Sequence, residues 1–444
     1  MQTILSVMPT ALTIAGVDPG GGAGVAADIK TFAALGVHGT CVITSLTSQN
    51  TRGVVSFQDI PVDFIEEQFN ALVSDIQINC AKTGMLSSPD IVRTVAGLFK
   101  DRRFPLVIDP VMTAEAGGEL LKDDAVSVLI EELMPLCTVI TPNVAEAERL
   151  SGMKITDLKD AKKAAKKIHE LGANAVIVTG GHLEFTDVFF DGEVTYIDGT
   201  MVNGGTHGSG CTHSAAITAE LAKGTPLLEA AQRAKKFVEQ AILASVAIGT
   251  GSAPVNQIGP LLTDAQRYQV LRKVEEAVKI IEKNMAPELI PEVGCNIAMA
   301  VSNASSPQDV AAVQGRIVRH KGAPHAVGCV AFGASSHIAR IVLTAMRFDS
   351  SMKAAMNIRY SKETLSACEN IGLEIGSFSR EDEPEDAATM EWGVSAAIKR
   401  AGGKVPDVIF DTGGVGKEAM IRLLGRDAVE VAGRALQISG AMMK

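Results

Sequence analysis

Through the first 250 residues, short runs of β-branched and aliphatic residues alternate with helical patterns, and no other feature constrains the fold as strongly. Candidate strands lie at 12–17, 42–46, 106–109, 138–141 and 175–179, with helical stretches at 26–35, 160–171 and 227–247. Such alternation predicts a mostly parallel, doubly wound α/β sheet covered on both faces. Apolar runs at 188–190 and 194–197 flank an Asp-Gly pair and predict one hairpin. A chain of 444 residues is too long for one ordinary domain. The Gly-, Pro- and Ser-rich segment 249–262 reads as a boundary, giving a front domain at 1–262 and a smaller α/β domain at 263–444. The latter opens with a linker helix at about 263–284, with Leu271, Val274, Val278 and Ile281 on one face, and strands follow near 316–318, 327–332 and 408–410. The acidic stretch 380–386 reads as a solvated loop.

Charge is unevenly distributed between the halves. Residues 1–260 hold 19 Lys+Arg against 29 Asp+Glu and the remainder 22 of each, so all of the net charge of −10 lies in front. An acidic chain with 4% aromatics is poorly equipped for a nucleic-acid backbone. Seven cysteines without a C-x-x-C pair exclude a disulfide scaffold and a zinc ribbon and fit a reducing compartment. Without a basic leader or a run of about eighteen apolar residues, the expectation is a cytoplasmic protein with small-molecule partners and no membrane partner.

Open α/β sheets bind ligands at the carboxyl ends of their strands, so the segments after the strands carry the chemistry. The first strand is followed by Asp18-Pro19-Gly20-Gly21-Gly22-Ala23-Gly24, glycines that let the backbone approach a ligand. The strongest local signal is Asn203-Gly204-Gly205-Thr206-His207-Gly208-Ser209-Gly210-Cys211 ahead of an Ala-rich helix. Successive backbone N–H groups at such a glycine-rich helix start make an anion hole, helped by the helix dipole. Cys211 in the first turn has a setting expected to lower a thiol pKa and to let it take a proton from a substrate hydroxyl; a buried structural cysteine is the plainer alternative. Asp109 closes a strand at the ligand edge. Asn143 and Glu146 read as a capping box, with Glu146 also placed to serve as an outer ligand of Mg²⁺ beside phosphate oxygens. Together these features suggest phosphoryl transfer to a small alcohol without a Walker A motif.

In the second half, PDVIFDTGGVGK at 406–417 reads as a strand ending in Asp411, a glycine turn through Gly414, and a helix beginning near Lys417. That order describes a phosphate nest with a cation in place, although Asp411 could instead cap the turn. FGASSHIAR at 332–340 places His337 near a helix start with Ser335 or Ser336 as cap, and Arg316 leads a short strand.

ALTIAGVDPGGGAGVAADIKTFAALG, TSLTSQNTRGV, KTGML, VIDPVM, TPNVAEAERL, TGGHLE and THGSGCTHSAA occur in the order found in hydroxymethylpyrimidine/phosphomethylpyrimidine kinases, and residues 10–255 resemble that ribokinase-like family. The resemblance implies stepwise phosphorylation of 4-amino-5-hydroxymethyl-2-methylpyrimidine to its diphosphate from ATP and Mg²⁺. It implies Cys211 as the base, Gly208–Gly210 as the anion hole, and Ala23, Asp28, Gln49, Met85 and Val111 as the pyrimidine pocket. It also implies self-association, most simply a dimer. Thr179 stands where many relatives carry a lysine, and His213 where an apolar residue is common.

EVGCNIAMA, DVAAVQGRIVR, FGASSHIARIVLTAM, AMNIRYS, SREDEPE, MEWGVSAAI and PDVIFDTGGVGKEAMIRLLG resemble the non-barrel thiamine-phosphate synthase domain over residues 285–440. That resemblance implies condensation of the pyrimidine diphosphate with a thiazole phosphate. Arg316 and His337 match its functional positions, and Asn357, Asp411, Gly414 and Lys417 are candidates for phosphate binding. The competing expectations are a non-catalytic ligand-sensing rear domain and a pyridoxal-type kinase in front.

Overall fold

The computed structural model describes residues 8–113, 120–181, 183–382, 389–414 and 416–442. Two compact units partition the chain, Met1–Leu262 and Thr263–Lys444.

The front unit is built on nine strands: β1 Thr10–Val17, β2 His38–Asn50, β3 Gly53–Asp59, β4 Cys80–Thr83, β5 Leu106–Ile108, β6 Val139–Ile140, β7 Val176–Val178, β8 Asp187–Phe190 and β9 Val194–Ile197. Their order is β3-β2-β1-β4-β5-β6-β7-β8-β9. From β2 to β7 every neighbour pairs in parallel, and the antiparallel β3, β8 and β9 finish the edges. The β8–β9 hairpin turns at the Asp-Gly pair, as expected. Alternate residues of the central strands enter different cores. Leu12, Ile14, Ile108 and Ile140 pack with the helix Pro89–Phe99, while Ala11, Val107, Val139 and Ile177 pack under the helix Ser209–Ala222. Strands buried on both faces read as continuous apolar runs, which is why most of their positions were legible; β4, whose four residues include Lys82, and the exposed edge strand β3 were not among the expected strands.

The rear unit begins within the helix Gly259–Asn284, which starts four residues before the expected linker helix. Its Val270, Val274, Ala277, Val278 and Ile281 belong to the core of this unit. Nine more strands follow: β10 Ile297–Ala300, β11 Val310–Val313, β12 Ile317–His320, β13 Ala323–Ala326, β14 Val330–Phe332, β15 Ala354–Arg359, β16 Ile375–Ser377, β17 Val408–Asp411 and β18 Met420–Gly425. Seven form one sheet in the order β14-β11-β10-β15-β18-β17-β16, and β12 and β13 make a separate ribbon. Only β16 and β17 pair in parallel, so this α/β unit is mainly antiparallel.

Two expectations fail here. No helix starts at Lys417; the glycine segment is a hairpin loop returning β17 into β18, closed by mutual backbone hydrogen bonds of Gly414 and Lys417 at 3.0 Å. The run 420–424, apolar but for Arg422, lies fully inside a sheet, and its pairing with β15 overrides any helical preference. The 380–386 stretch is not simply a solvated loop. It opens with a 3₁₀ turn, Arg380–Asp382, and the Arg380 side chain is about 90% buried; residues 383–388 lie outside the described ones.

Candidate active sites

In the front unit, the loop after β1 is organised by Asp18. Its carboxylate accepts the N–H groups of Gly20 (2.8 Å), Gly22 (3.0 Å) and Ala23 (2.9 Å), so Ala23 is fixed as the cap of the helix Gly24–Ala34. His207 Nε2 stands 3.2 Å from the same carboxylate. Burial works to raise the Asp18 pKa, but the hydrogen bonds from His207, Ala23 and Gly20 outweigh it and hold the group below its ordinary value. This pair ties the first glycine loop to the second. Gly208, at φ +81°, caps the helix Ser209–Ala222, and a Cβ there would fall 1.9 Å from the Gly22 carbonyl oxygen. Only glycine fits such a close approach.

The Ser209 N–H is not available to a ligand, because it donates to Thr206 O at 2.9 Å. Gly210 and Cys211 occupy the first turn, whose N–H groups have no partner within a helix. Cys211 departs from expectation: its pKa is pushed well up, first by burial and then by the Asp109 and Asp28 carboxylates, against the lowering pull of Lys82 and the Gly24 N–H. The helix start alone suggested an activated thiol. Burial, together with the carboxylates that face it from other elements, reverses the sign.

Asp28 belongs to a buried network rather than to an open pocket. It is fully buried, with Oδ2 accepting from Thr13 Oγ1 at 2.6 Å and Oδ1 accepting from Lys82 Nζ at 2.8 Å. Lys82, on β4 and equally buried, also stands 3.7 Å from Asp109 Oδ2. Burial works against its charge, but Asp28, Asp109 and Cys211 outweigh that and hold the ammonium protonated. Lys82 was missed because a lysine in the strand motif KTGML looks like an ordinary surface residue until the strand is placed at the sheet centre. Asp109 follows β5 and accepts from Ser214 Oγ at 2.9 Å.

The capping box is present: Glu146 N–H donates to Asn143 Oδ1 and Asn143 N–H to Glu146 Oε2, both at 2.9 Å. Glu146 is pushed up to about 8, first by burial and then by Asp109. Two buried carboxylates that repel one another fit a bound divalent cation. Among the described residues no group of three or more His, Cys, Asp or Glu side chains is placed to hold a metal ion. Met85 lies 93% buried against Gly16, and Val111 donates its N–H to Asp109 O. Gln49 is half-buried on β2, its side chain 3.4 Å from Thr47 Oγ1, and no contact joins it to Cys211.

The rear unit holds a cavity of about 440 Å³ lined by Arg316, His337, Arg340, Arg380, Lys417 and Arg422 among others, with Glu418 as the one lining acid among the described residues. Arg316 leans over Gly294 and donates to Val293 O. His337 sits in the first turn of the helix Ser336–Phe348. Its pKa is lowered by burial and then by Arg422, Arg316, Arg380 and Arg340, so it is a neutral imidazole at neutral pH. Ser335 occupies the cap position without making a side-chain cap bond, and it lines the cavity.

The remaining rear candidates fare less well as phosphate ligands. Asn357 lines the cavity, but its Oδ1 accepts Asn296 N–H at 2.8 Å and its Nδ2 donates to Gly294 O at 3.2 Å. The Gly414 N–H is spent on Lys417 O. Asp411 is fully buried and bound to Arg380 and Arg422, so it acts on guanidinium groups and repels phosphate. Arg380, Arg422 and Arg340 were the residues that the motif reading passed over.

A glycine-rich helix start with a thiol and paired carboxylates beside it, on this sheet, fits a ribokinase-like phosphotransferase, and the second unit carries a cavity lined mainly by cationic side chains. The family model for phosphomethylpyrimidine kinase matches residues 18–256, and that for the thiamine-phosphate synthase ThiN matches 273–437. The chain is 36% identical over 428 residues to the bifunctional thiamine biosynthesis protein ThiDN of Methanocaldococcus jannaschii, covering 95% of this chain and 96% of that one. It is 46% identical over 253 residues to the thiamine biosynthesis bifunctional protein ThiED of Geobacter sulfurreducens, covering 56% of this chain and about half (52%) of that protein. Among solved structures, the Bacillus subtilis pyridoxal kinase in its ADP complex matches with a TM-score of 0.54 and 40% identity, over 57% of this chain and 99% of that one. The chain therefore belongs to the phosphomethylpyrimidine kinase family and carries a thiamine-phosphate synthase domain behind it, as a bifunctional enzyme of thiamine biosynthesis.

Proposed function

We propose that the front unit, taken as residues 1–262, phosphorylates 4-amino-5-hydroxymethyl-2-methylpyrimidine twice, and that the rear unit, residues 263–444, joins the resulting diphosphate to thiazole phosphate. In the first step the substrate hydroxyl loses its proton beside Cys211, whose thiol is protonated in the free site and would serve as base only once bound Mg²⁺ offsets the Asp109 charge, while the N–H groups of Gly210 and Cys211 face the transferred phosphoryl oxygens. ATP supplies the phosphoryl group, and Mg²⁺, held by Asp109 and Glu146, would neutralise phosphate charge. Ala23, Gln49, Met85 and Val111 frame the pyrimidine, and Lys82 with Asp28 supports them from below. The second phosphorylation starts from a phosphate oxygen already ionised near pH 7 and has less need of a base.

In the rear unit the bond between the pyrimidine methylene carbon and the diphosphate oxygen breaks, and its electron pair leaves with pyrophosphate. The thiazole nitrogen then forms the new bond to that carbon. The observation that carries this reading is the gathering of five cationic side chains, Arg316, Arg340, Arg380, Lys417 and Arg422, around one cavity with His337, which suits charge accumulating on a departing pyrophosphate. Retention of Arg316 and His337 together favours catalysis over ligand sensing. Exposed Val55 and Phe57 on the edge strand β3 support a dimer. No helix among the described residues is long and apolar enough to cross a membrane, in keeping with cytoplasmic work.

The test supplies the full chain with hydroxymethylpyrimidine, thiazole phosphate, ATP and Mg²⁺. Thiamine phosphate is expected, with an Arg316→Ala/His337→Ala variant stopping at the pyrimidine diphosphate. If both proteins stop there, the rear unit is a sensor. Efficient phosphorylation of pyridoxal with no diphosphate formed would instead identify a pyridoxal-type kinase.

A further inference from the structure

At the end of β17 the Asp411 carboxylate is fully buried and saturated by donors. It accepts Arg380 Nε at 2.5 Å and Nη2 at 3.2 Å, Arg422 Nη2 at 2.8 Å, and the Gly413 N–H at 2.9 Å. Two guanidinium groups share one carboxylate, which leaves an excess positive charge with little water to screen it. Arg422, 1% exposed on β18, is braced with its guanidinium carbon 5.1 Å from the Phe378 ring centre. Its buried Nε has no hydrogen-bond partner, and its Nη1 reaches only Met420 O at 3.4 Å. Both arginines line the cavity that holds Arg316 and His337. An unpartnered buried donor beside surplus positive charge is costly unless a ligand completes it.

We propose that Arg380 and Arg422, held side by side on Asp411, form the subsite for the diphosphate group, with Asp411 as the positioning residue. The proposal rests on the synthase reading of the rear unit and adds which of its two anionic substrates binds where. Planar guanidinium forks bind adjacent phosphate oxygens through paired hydrogen bonds. The diphosphate carries more charge than the thiazole monophosphate and gains charge at the ester oxygen that joined it to the methylene carbon as the carbon–oxygen bond breaks. Rigid, buried donors stabilise such developing charge without reorganising.

Steady-state kinetics of the full chain with preformed pyrimidine diphosphate and thiazole phosphate test the assignment. In Arg380→Met the KM for the diphosphate and the inhibition constant of inorganic pyrophosphate should both rise about tenfold or more, with the KM for thiazole phosphate within about twofold of wild type. Arg380→Lys should fall between them, because it keeps the charge and loses the fork; it also serves if the methionine variant fails to fold. Asp411→Asn should raise the same two constants as Arg380→Met. A rise confined to thiazole phosphate, or no change in any constant, overturns the assignment. Calorimetric titration of inorganic pyrophosphate into wild type and Arg380→Lys separates this from failure of the synthase reading. If wild type makes no thiamine phosphate but the variant loses pyrophosphate affinity, the subsite stands and the reaction does not; equal affinity removes the subsite.

Discussion

Lys82 Nζ lies 2.8 Å from Asp28 Oδ1, and neither side chain reaches solvent. The strand β4 and the helix Gly24–Ala34 thus meet through a charge pair, with Asp109 and Cys211 within its field.

Removing the cation alone leaves the carboxylates buried and unpaired. Lys82→Met should cost roughly 3–5 kcal/mol of front-unit stability. A Lys82→Met/Asp28→Asn double variant should recover most of that loss, read from urea unfolding curves. Equal losses in the single and double variants would show that packing rather than charge pairing holds this site.

Cys211 should matter unequally in the two phosphorylations. Cys211→Ala is expected to slow the first, from a neutral alcohol, by about a hundredfold or more, and the second by much less, because general-base catalysis contributes on that scale only where a proton must be removed. Separate assays of the alcohol and the monophosphate check this; equal losses in both would count against a base role.

Glu146 carries a definite pH signature. Its folded pKa of about 8 lies above its ordinary value of 4.5, so between those values the folded protein holds a proton that the unfolded chain has released. Stability in the absence of metal should therefore fall as pH rises from about 4.5 to about 8, at up to about 1.4 kcal/mol per unit, and then level off. Glu146→Gln should flatten that fall, as thermal melts across the range would reveal.

The Asp18 carboxylate has the opposite dependence. Its pKa is held down in the folded state, so the stability it contributes is present above its ordinary value of 3.8 and lost as pH falls through the lower folded value. Asp18→Asn should cost about 1–3 kcal/mol by weakening the hydrogen bonds from three backbone N–H groups and His207, and should raise the KM for ATP by loosening the second glycine loop. A KM unchanged from wild type would mean that the two loops hold their positions independently.

Local signals explain what could be read early. The β8–β9 hairpin follows from turn chemistry at Asp191 and Gly192, and the Asn143–Glu146 capping box from a three-residue spacing. Gly208 had to be glycine because the carbonyl of Gly22 lies against it, a requirement that a glycine-rich motif advertises. By contrast, the stretch after Gly416 carried no such signal: its apolar residues suit a helix or a strand, and pairing with β15 decides between them.

Strand–helix periodicity, the glycine turns and the order of the motifs are properties of neighbouring residues, so the chain alone determined the α/β class, most strands of the front sheet but not β3 or β4, the two-unit division and the location of Cys211, Arg316 and His337. The state of those groups was decided by tertiary structure. Lys82 meets a carboxylate 54 residues away and Arg380 one 31 residues away, and each becomes part of a site only because strand order brings their elements together. The same folding reverses the expected pKa of Cys211, since desolvation and the field of distant carboxylates exceed the pull of one helix start.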